Sequence, residues 1–383
     1  MPPGRPARGL VGGYPDRTFR PDHPITRAEF VALVNRAFGY TEMTTGVTFY
    51  DVAETDWYAA EFAKAAHLGY IGGYADGTTR PQNLITRQEV AAVLTRILPP
   101  AEVEKVNAEN NTDGNFTDQA QIPEWSKAAI AAVVKVGHMS GYPDGTFQPD
   151  KAITRAEAIA VLNRAAGTIY NRAGTYGPFQ GTKVQESNVT INTPGVTLQN
   201  TTIKGNLYLT EGIGEGDVTL INVTVQGNTK VAAGGKDSIH LRNTSVGAVL
   251  VDVPSRNLVR LLAQGNTTVG TLEARTPVRL EEEKLTGSGF TKVIVKTQKK
   301  IEGNITKDSP AVTIELLGQF DDVRVQSTGT QLNLQKGSIA NLTLASTAQL
   351  TQISLAAQTG INSMTADAPV TVQGQGTVET TLE

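Results

Sequence analysis

The chain has 383 residues, with 34 Lys and Arg against 37 Asp and Glu, a net charge of −3. That length exceeds what one core usually fills, so two or more domains are expected. The charge balance leaves no basic excess to grip a phosphate backbone, which excludes nucleic acid as a partner, and the absence of Cys removes disulfide frameworks, thiolate metal sites and Cys nucleophiles together.

The chain opens Met1-Pro2-Pro3-Gly4-Arg5-Pro6, with no apolar signal core, and no later apolar run reaches the length of a membrane helix. No membrane span is expected, and any export signal is expected upstream of this sequence. The first organised feature is a repeat. Gly12-Gly13-Tyr14-Pro15-Asp16 recurs as Gly72-Gly73-Tyr74-Ala75-Asp76 and as Ser140-Gly141-Tyr142-Pro143-Asp144. Thirteen residues after each Tyr stands an Arg in the same setting, Ile-Thr-Arg-x-Glu, at Arg27, Arg87 and Arg155. Upstream of the second and third copies lie Phe49-Tyr50-Asp51 with Trp57, and Phe116-Thr117-Asp118 with Trp125; the same interval for the first copy falls before residue 1.

Apolar residues at helical spacing follow each Trp (Phe62, Ala65, Ala66; Ile130, Val133, Val134) and each Arg (Phe30, Leu33, Val34, Ala37, with counterparts in the other copies). Between them a Tyr-Pro-Asp-Gly-type turn reverses the chain. The unit is therefore helix, tight loop, helix, over residues 1–40 (without its front half), 47–98 and 115–167. A polar, Asn- and Glu-rich loop insertion is expected between Pro99 and Asn115. Residues 168–183 read as a linker.

From Val184 to residue 383 short runs rich in Val, Ile, Thr and Gly alternate apolar with polar, the pattern of strands. Leu198-Gln199-Asn200, Leu220-Ile221-Asn222 and Leu241-Arg242-Asn243 place Asn residues 22 and 21 apart, an interval that suits one coil of a parallel β-solenoid with an Asn ladder at a turn. Beyond about residue 250 the register loosens, and a β-sandwich is the other architecture compatible with the pattern. The fold class is thus multidomain α + β: an α-helical repeat domain, then an all-β domain.

Thr followed three residues later by Glu before an apolar helix is a capping box, expected at Thr26/Glu29, Thr86/Glu89 and Thr154/Glu157. The Arg inside each motif has no part in capping. It stands where a helix's first N–H groups and dipole favour an anion, and its planar fork suits a carboxylate or phosphate. Arg27, Arg87 and Arg155 are therefore candidate anion-binding residues, the other reading being a salt bridge to the adjacent repeat. Tyr74 and Tyr142, with Tyr14, either offer a face to a sugar ring or simply pack beside a Gly turn. Trp57 and Trp125 are expected in the core. Glu281-Glu282-Glu283 and Asp321-Asp322 are expected at solvated turns, since consecutive strand residues point to opposite faces and build no convergent pair. The four His have no metal-ligand spacing, and no nucleotide-binding or nucleophile-elbow motif occurs, so no metal, cofactor or catalytic residue is expected.

The pattern Phe-x-Asp…Trp…Gly-Tyr-Pro-Asp-Gly-Thr-Phe…Ile-Thr-Arg-Ala-Glu closely resembles the S-layer homology domain of bacterial surface proteins, which usually occurs in threes. The resemblance implies a pseudo-threefold assembly whose inter-repeat grooves bind a peptidoglycan-linked secondary cell-wall polysaccharide, often through a pyruvylated sugar, with the motif Arg (Arg27, Arg87, Arg155) contributing to the groove. It implies an extracellular, cell-wall or S-layer location. Departures are Arg17 in place of Gly, Ala75 in place of Pro and Thr79 in place of Phe. The strand half, through Gly234-Gly235-Lys236-Asp237-Ser238-Ile239-His240-Leu241, more weakly resembles β-helical regions of spore-former surface proteins. The expected function is non-covalent wall anchoring of a displayed solenoid, without catalysis. The alternatives are a wall-anchored polysaccharide lyase or hydrolase with its site on the solenoid, and an adhesin or self-associating S-layer subunit.

Overall fold

A computed structural model of the chain describes residues 11–14, 16–41, 49–97, 116–297, 300–302, 305–307 and 311–382. The insertion expected between Pro99 and Asn115, like the first ten residues, lies outside the described residues. The chain divides into two compact units, Met1–Ile169 and Tyr170–Glu383.

In the first unit five helices are described: α1 (Arg27–Phe38), α2 (Ala59–His67), α3 (Arg87–Ile97), α4 (Glu124–Lys135) and α5 (Arg155–Ala166). Helices α1, α3 and α5 begin at the Ile-Thr-Arg motif because Thr and Glu satisfy each other's backbone amides. The Thr26, Thr86 and Thr154 N–H groups donate to Glu29, Glu89 and Glu157 at 2.8, 2.9 and 2.9 Å, and the Glu N–H groups return the bond to the Thr hydroxyls. The apolar face of each helix is buried, as its periodicity requires. Helix α2 packs beside α1, and α4 beside α3, so the first helix of a repeat lies on the second helix of the repeat before it.

The three copies close into a ring. The Ile25 N–H donates to the Ile153 carbonyl (3.2 Å), Ile85 to Ile25 (3.1 Å) and Ile153 to Ile85 (3.0 Å), and all three side chains are fully buried. Around this hub Arg27 N–H bonds Asn83 O, Arg87 bonds Lys151 O and Arg155 bonds His23 O, at 2.8 to 3.0 Å. The next amides, of Ala28, Gln88 and Ala156, bond the carbonyls of Pro81, Pro149 and Pro21 at 2.9 to 3.0 Å. Each helix start is thus tied to the following repeat, and the third to the first, which gives pseudo-threefold symmetry.

The second unit is a parallel β-solenoid of about 10 coils. Among the described residues nineteen strands form one continuous sheet wound on itself, with a separate antiparallel pair at Lys300–Glu302 and Ile305–Lys307. Like residues stack in register: Leu198, Leu220 and Leu241 form one inward column, and Val249, Leu272, Val293, Val323, Leu342 and Met364 another. Alternation along each strand sends these residues into a single apolar core and their neighbours outward. The parallel pairing continues past residue 250 to Thr377–Leu382, so a sandwich is not formed. The loosened sequence register reflects changing turn lengths, whereas the inward columns persist.

Residues 168–183 differ from the linker reading. Gly174–Tyr176 pairs in parallel with Val196–Leu198, and Lys183–Gln185 with Thr201–Ile203, so the first coil starts inside that segment. Its strands are short and mostly exposed, which hid their alternation, and the mutually tilted rings of Tyr170 and Tyr176 (4.3 Å) lie beside the core there. Asn200, Asn222 and Asn243 all have positive φ, the first two inside the strands Val196–Ile203 and Val218–Val231 and the third at a bend. Asn222 donates to the Asn200 side-chain carbonyl (2.9 Å), while Asn243 instead accepts from the Asn266 N–H (2.9 Å).

Candidate functional site at the repeat junctions

Each junction sets the motif Arg of one repeat against the loop Tyr of the next. Arg27 lies over the Tyr74 ring (5.1 Å), Arg87 over Tyr142 (4.5 Å) and Arg155 over Tyr14 (5.0 Å). The cycle is again closed. Each Tyr is anchored by its hydroxyl to the capping-box Glu of its own repeat, Tyr74 to Glu89 at 2.6 Å, Tyr142 to Glu157 at 2.7 Å and Tyr14 to Glu29 at 3.3 Å. Burial, together with that bond to Glu, pushes the Tyr74 and Tyr142 phenols up, which keeps them neutral donors.

The guanidinium groups are buried, at 6, 5 and 8% exposure for Arg27, Arg87 and Arg155. They also spend hydrogen bonds on the following repeat. Arg27 donates from Nε to Thr79 O (2.8 Å) and pairs with Glu89 (2.9 Å). Arg87 donates to Phe147 O (2.8 Å) and Ser140 O (2.7 Å), and Arg155 to the Gly12 carbonyl. The salt-bridge reading therefore describes Arg27, whereas Arg87 and Arg155 meet carbonyl dipoles. Among the described residues neither of these two forms an ion pair. Burial lowers the pKa of Arg87 from its ordinary value, against the opposing pull of Tyr142, Glu157 and Asp118.

A second cation, not singled out from the sequence, approaches each ring: Arg80 on Tyr74 (4.1 Å), Lys151 on Tyr142 (4.2 Å) and Arg20 on Tyr14 (4.4 Å). Arg20 and Arg80 stand six residues after their Tyr and pair with Asp16 (2.6 Å) and Asp76 (2.9 Å). The third repeat has Gln148 there and brings Lys151 instead, which breaks the positional repeat that would have revealed it. Among the described residues Lys151 forms no ion pair. The junctions thus differ electrostatically. Among the described residues both cations at Tyr74 and one of two at Tyr14 form ion pairs, whereas at Tyr142 Glu157 and Asp118 act on Arg87, and Asp144 on Lys151, without an ion-pair contact.

The loops hold this geometry rigidly. Asp76 accepts from the Thr78 N–H and hydroxyl (3.0 and 2.6 Å), and these bonds with Arg80 depress its carboxyl to about 2. Asp51 accepts from the N–H groups of Thr79 and Arg80, and Asp118 from those of Phe147 and Gln148, at 2.6 to 2.8 Å. This is the role of Asp in the Phe-x-Asp motif.

Three expectations are corrected here. The helix-start amides do not face a ligand, because the ring of carbonyls described above already accepts from them. Trp57 and Trp125 are not core: each is 59% exposed. Trp125 precedes Ile130 on α4 by five positions, about 140° around a helix of 3.6 residues per turn, so the spacing itself places it off the apolar face, whereas Trp57 stands two residues before α2. The acidic runs lie within strands, not at turns. Glu281 pairs with Arg260 (2.6 Å), Glu282 accepts from the Phe290 and Gln319 amides (2.9 and 2.8 Å), Glu283 accepts from Gln264 (2.8 Å), and Asp322 pairs with Arg324 (3.0 Å). Burial raises the pKa of Glu282, with Asp321 contributing in the same direction against those two amides.

Comparison with known proteins identifies the three repeats of the helical unit. Residues 7–31, 48–91 and 115–159 match the S-layer homology domain. The chain is 34% identical over 165 residues to cell surface glycoprotein 1 of Acetivibrio thermocellus, a match covering 41% of this chain and 7% of that protein. It is 32% identical over 188 residues to the cellulosome-anchoring protein of the same organism, covering 48% and 39%. It is 34% identical over 157 residues to an amylopullulanase of Thermoanaerobacterium thermosulfurigenes, covering 41% and 14%. The chain spans well under half the length of each of these relatives.

Proposed function

Because the helical unit carries three S-layer homology repeats, we propose that it holds the chain on a bacterial cell wall by binding an acidic secondary wall polysaccharide, and that the solenoid is what it displays. The observation that carries this reading is the Tyr142 junction, where Arg87 and Lys151 share one ring and neither has a carboxylate partner among the described residues. A pyruvylated sugar supplies what is lacking there: a carboxylate for the cations and an apolar ring face for the aromatic. The relatives named as a cell surface glycoprotein and a cellulosome-anchoring protein support a wall location. The exposed Trp57 and Trp125 offer further sugar-stacking faces. The Tyr74 junction, with Arg27 neutralised by Glu89, is the weakest of the three sites, and the Tyr14 junction with Arg155 is intermediate.

We read the solenoid as non-catalytic. Glu281, Glu282, Glu283 and Asp322 are each engaged by a separate partner, whereas glycoside hydrolysis needs two carboxyl groups facing one bond.

The test is co-sedimentation of the full chain with purified Gram-positive sacculi retaining their secondary polymer. Lys151→Ala removes an exposed side chain and leaves intact the carbonyl that accepts from Arg87, so the fold should survive while the bound fraction falls several-fold. Walls stripped of pyruvate by mild acid should likewise release the protein. Equal sedimentation of the variant, or with stripped walls, would overturn the proposal.

A further inference from the structure

The three junctions share one backbone position whose side chain differs in each. Nine residues after the loop Tyr stand His23, Asn83 and Lys151. Their N–H groups donate to the carbonyls of Arg20, Arg80 and Gln148 at 3.2, 3.1 and 3.2 Å, and those three acceptor residues hold φ 51°, 49° and 54°. Their own carbonyls accept the N–H of the motif Arg that enters the junction, Arg155 on His23, Arg27 on Asn83 and Arg87 on Lys151. The same turn is therefore built three times. At the Tyr142 junction it brings the Lys151 ammonium to 4.2 Å from the ring centre. At the Tyr14 junction it starts the His23 side chain from the equivalent point.

His23 is exposed, and its Nδ1 lies 2.8 Å from the Pro24 carbonyl. A carbonyl can only accept, so Nδ1 carries the hydrogen and the neutral ring keeps its lone pair on Nε2. Among the described residues Nε2 has no hydrogen-bond partner. A proton added there makes His23 a cation with an open donor. The charged groups at this junction are Arg155 on α5 and Arg20, both over the Tyr14 ring, Asp16 paired with Arg20, Asp22 next in the chain, and Glu29, which accepts from the Tyr14 hydroxyl. Bonds from Thr18 and Arg20 hold the Asp16 carboxyl well below the usual carboxylate range, so that pair stays ionised. Of these side-chain types only imidazole ordinarily changes charge between about pH 5 and 8.

Resting on the anchoring reading above, we infer that His23 makes the Tyr14 junction a pH-dependent anion site: acidification adds a positive charge beside Arg155 and tightens its hold on an acidic sugar. The equivalent position is neutral at the Tyr74 junction, where it is Asn83, and already cationic at the Tyr142 junction, where it is Lys151. One of three sites thus responds to acid, and wall attachment strengthens as the medium acidifies.

The experiment is co-sedimentation of the full chain with sacculi retaining their secondary polymer, at pH 7.5 and 5.5 and one ionic strength. The apparent Kd of the parent chain should fall about two- to fivefold at the lower pH, the range of one exposed ion pair. His23→Asn, which places at this turn the residue it already carries at Asn83, should lose that difference. His23→Lys should bind at pH 7.5 as tightly as the parent does at pH 5.5. Changes in the wall's own charge and at His138 are common to all three proteins and cancel in the comparison, and circular dichroism at each pH checks that the folds match. A parent chain whose binding is the same at both pH values, or a difference that survives His23→Asn, would overturn the inference and leave anchoring standing. A parent chain that fails to sediment at either pH would overturn anchoring and this inference together.

Discussion

Replacing Arg87 by Ala should cost the helical unit far more than a surface Arg would. The side chain is 5% exposed, and its two hydrogen bonds reach carbonyls of the next repeat at 2.8 and 2.7 Å. Deletion leaves Phe147 O and Ser140 O without these donors, at about 1–3 kcal/mol each. It also removes a cation from the Tyr142 and Phe147 rings, 4.5 and 4.6 Å away, for about 1 kcal/mol more. Against this stands relief of the desolvation that lowers the Arg87 pKa, so the net loss should be about 3 kcal/mol. Urea unfolding followed at 222 nm, where helices dominate, measures it. Arg87→Lys keeps the charge but not the fork, so it should recover only part of the loss. A change below about 1 kcal/mol, the range of an exposed Arg, would refute the assignment of Arg87 as an inter-repeat lock. The same arithmetic makes Arg87→Ala a poor probe of ligand binding, because lost binding would follow from lost fold.

Three further outcomes are expected. Burial, with the Arg164 charge, depresses His138 from 6.5 to about 4; the unfolded state then binds the extra proton first, so stability present above pH 6.5 is lost as pH falls toward 4, by about 2 kcal/mol between pH 7 and 5. His138→Gln should flatten that dependence in urea titrations, and an unchanged slope would refute it. Arg17 holds φ 66° where the other repeats have Gly77 and Gly145 at 78° and 80°, so Arg17→Gly should raise stability by about 0.5–1 kcal/mol in thermal melts; a loss would show that the side chain makes a contact worth more than the strain. Leu272→Ala, in the column between Val249 and Val293, should destabilise the solenoid by about 2–5 kcal/mol on the 218 nm signal while leaving wall sedimentation intact; reduced sedimentation would mean that the solenoid takes part in anchoring.

What could be read in advance was whatever is encoded locally. The capping boxes and apolar faces of α1, α3 and α5 follow from residues within a few positions of one another, and the solenoid from apolar alternation with Asn residues 22 and 21 apart. What could not be read depends on partners far along the chain. Arg155 spends its hydrogen bond on Gly12, 143 residues away, and nothing near position 155 announces it. Lys151 replaces the cation that Arg20 and Arg80 supply from a different loop position, so a search for repeated positions passes over it. Glu281 sits in a strand because Arg260, one coil earlier, stands beside it to take its charge. The exposure of Trp125 is legible in its five-residue offset from Ile130 on one helix, whereas that of Trp57, two residues before α2, follows from no helical period.

Ring closure also dictates where an acidic ligand can be held. In an isolated helix the first N–H groups are open donors and would share an anion with a neighbouring Arg. Here the amides of Arg27, Ala28, Arg87, Gln88, Arg155 and Ala156 are taken by carbonyls of the following repeat. Any net positive charge at a junction must therefore come from side chains, and its size is set by whether the Arg meets a carboxylate, as Arg27 meets Glu89, or a carbonyl, as Arg87 meets Phe147 and Ser140. Three junctions built on one backbone plan thereby differ in their ion pairing, and on the proposed function would differ in affinity for an anion. Because each repeat contributes the Arg to one junction and the Tyr to another, disturbing any one repeat alters two junctions at once, so on the proposed function binding and folding of the helical unit would be coupled through the same hydrogen bonds.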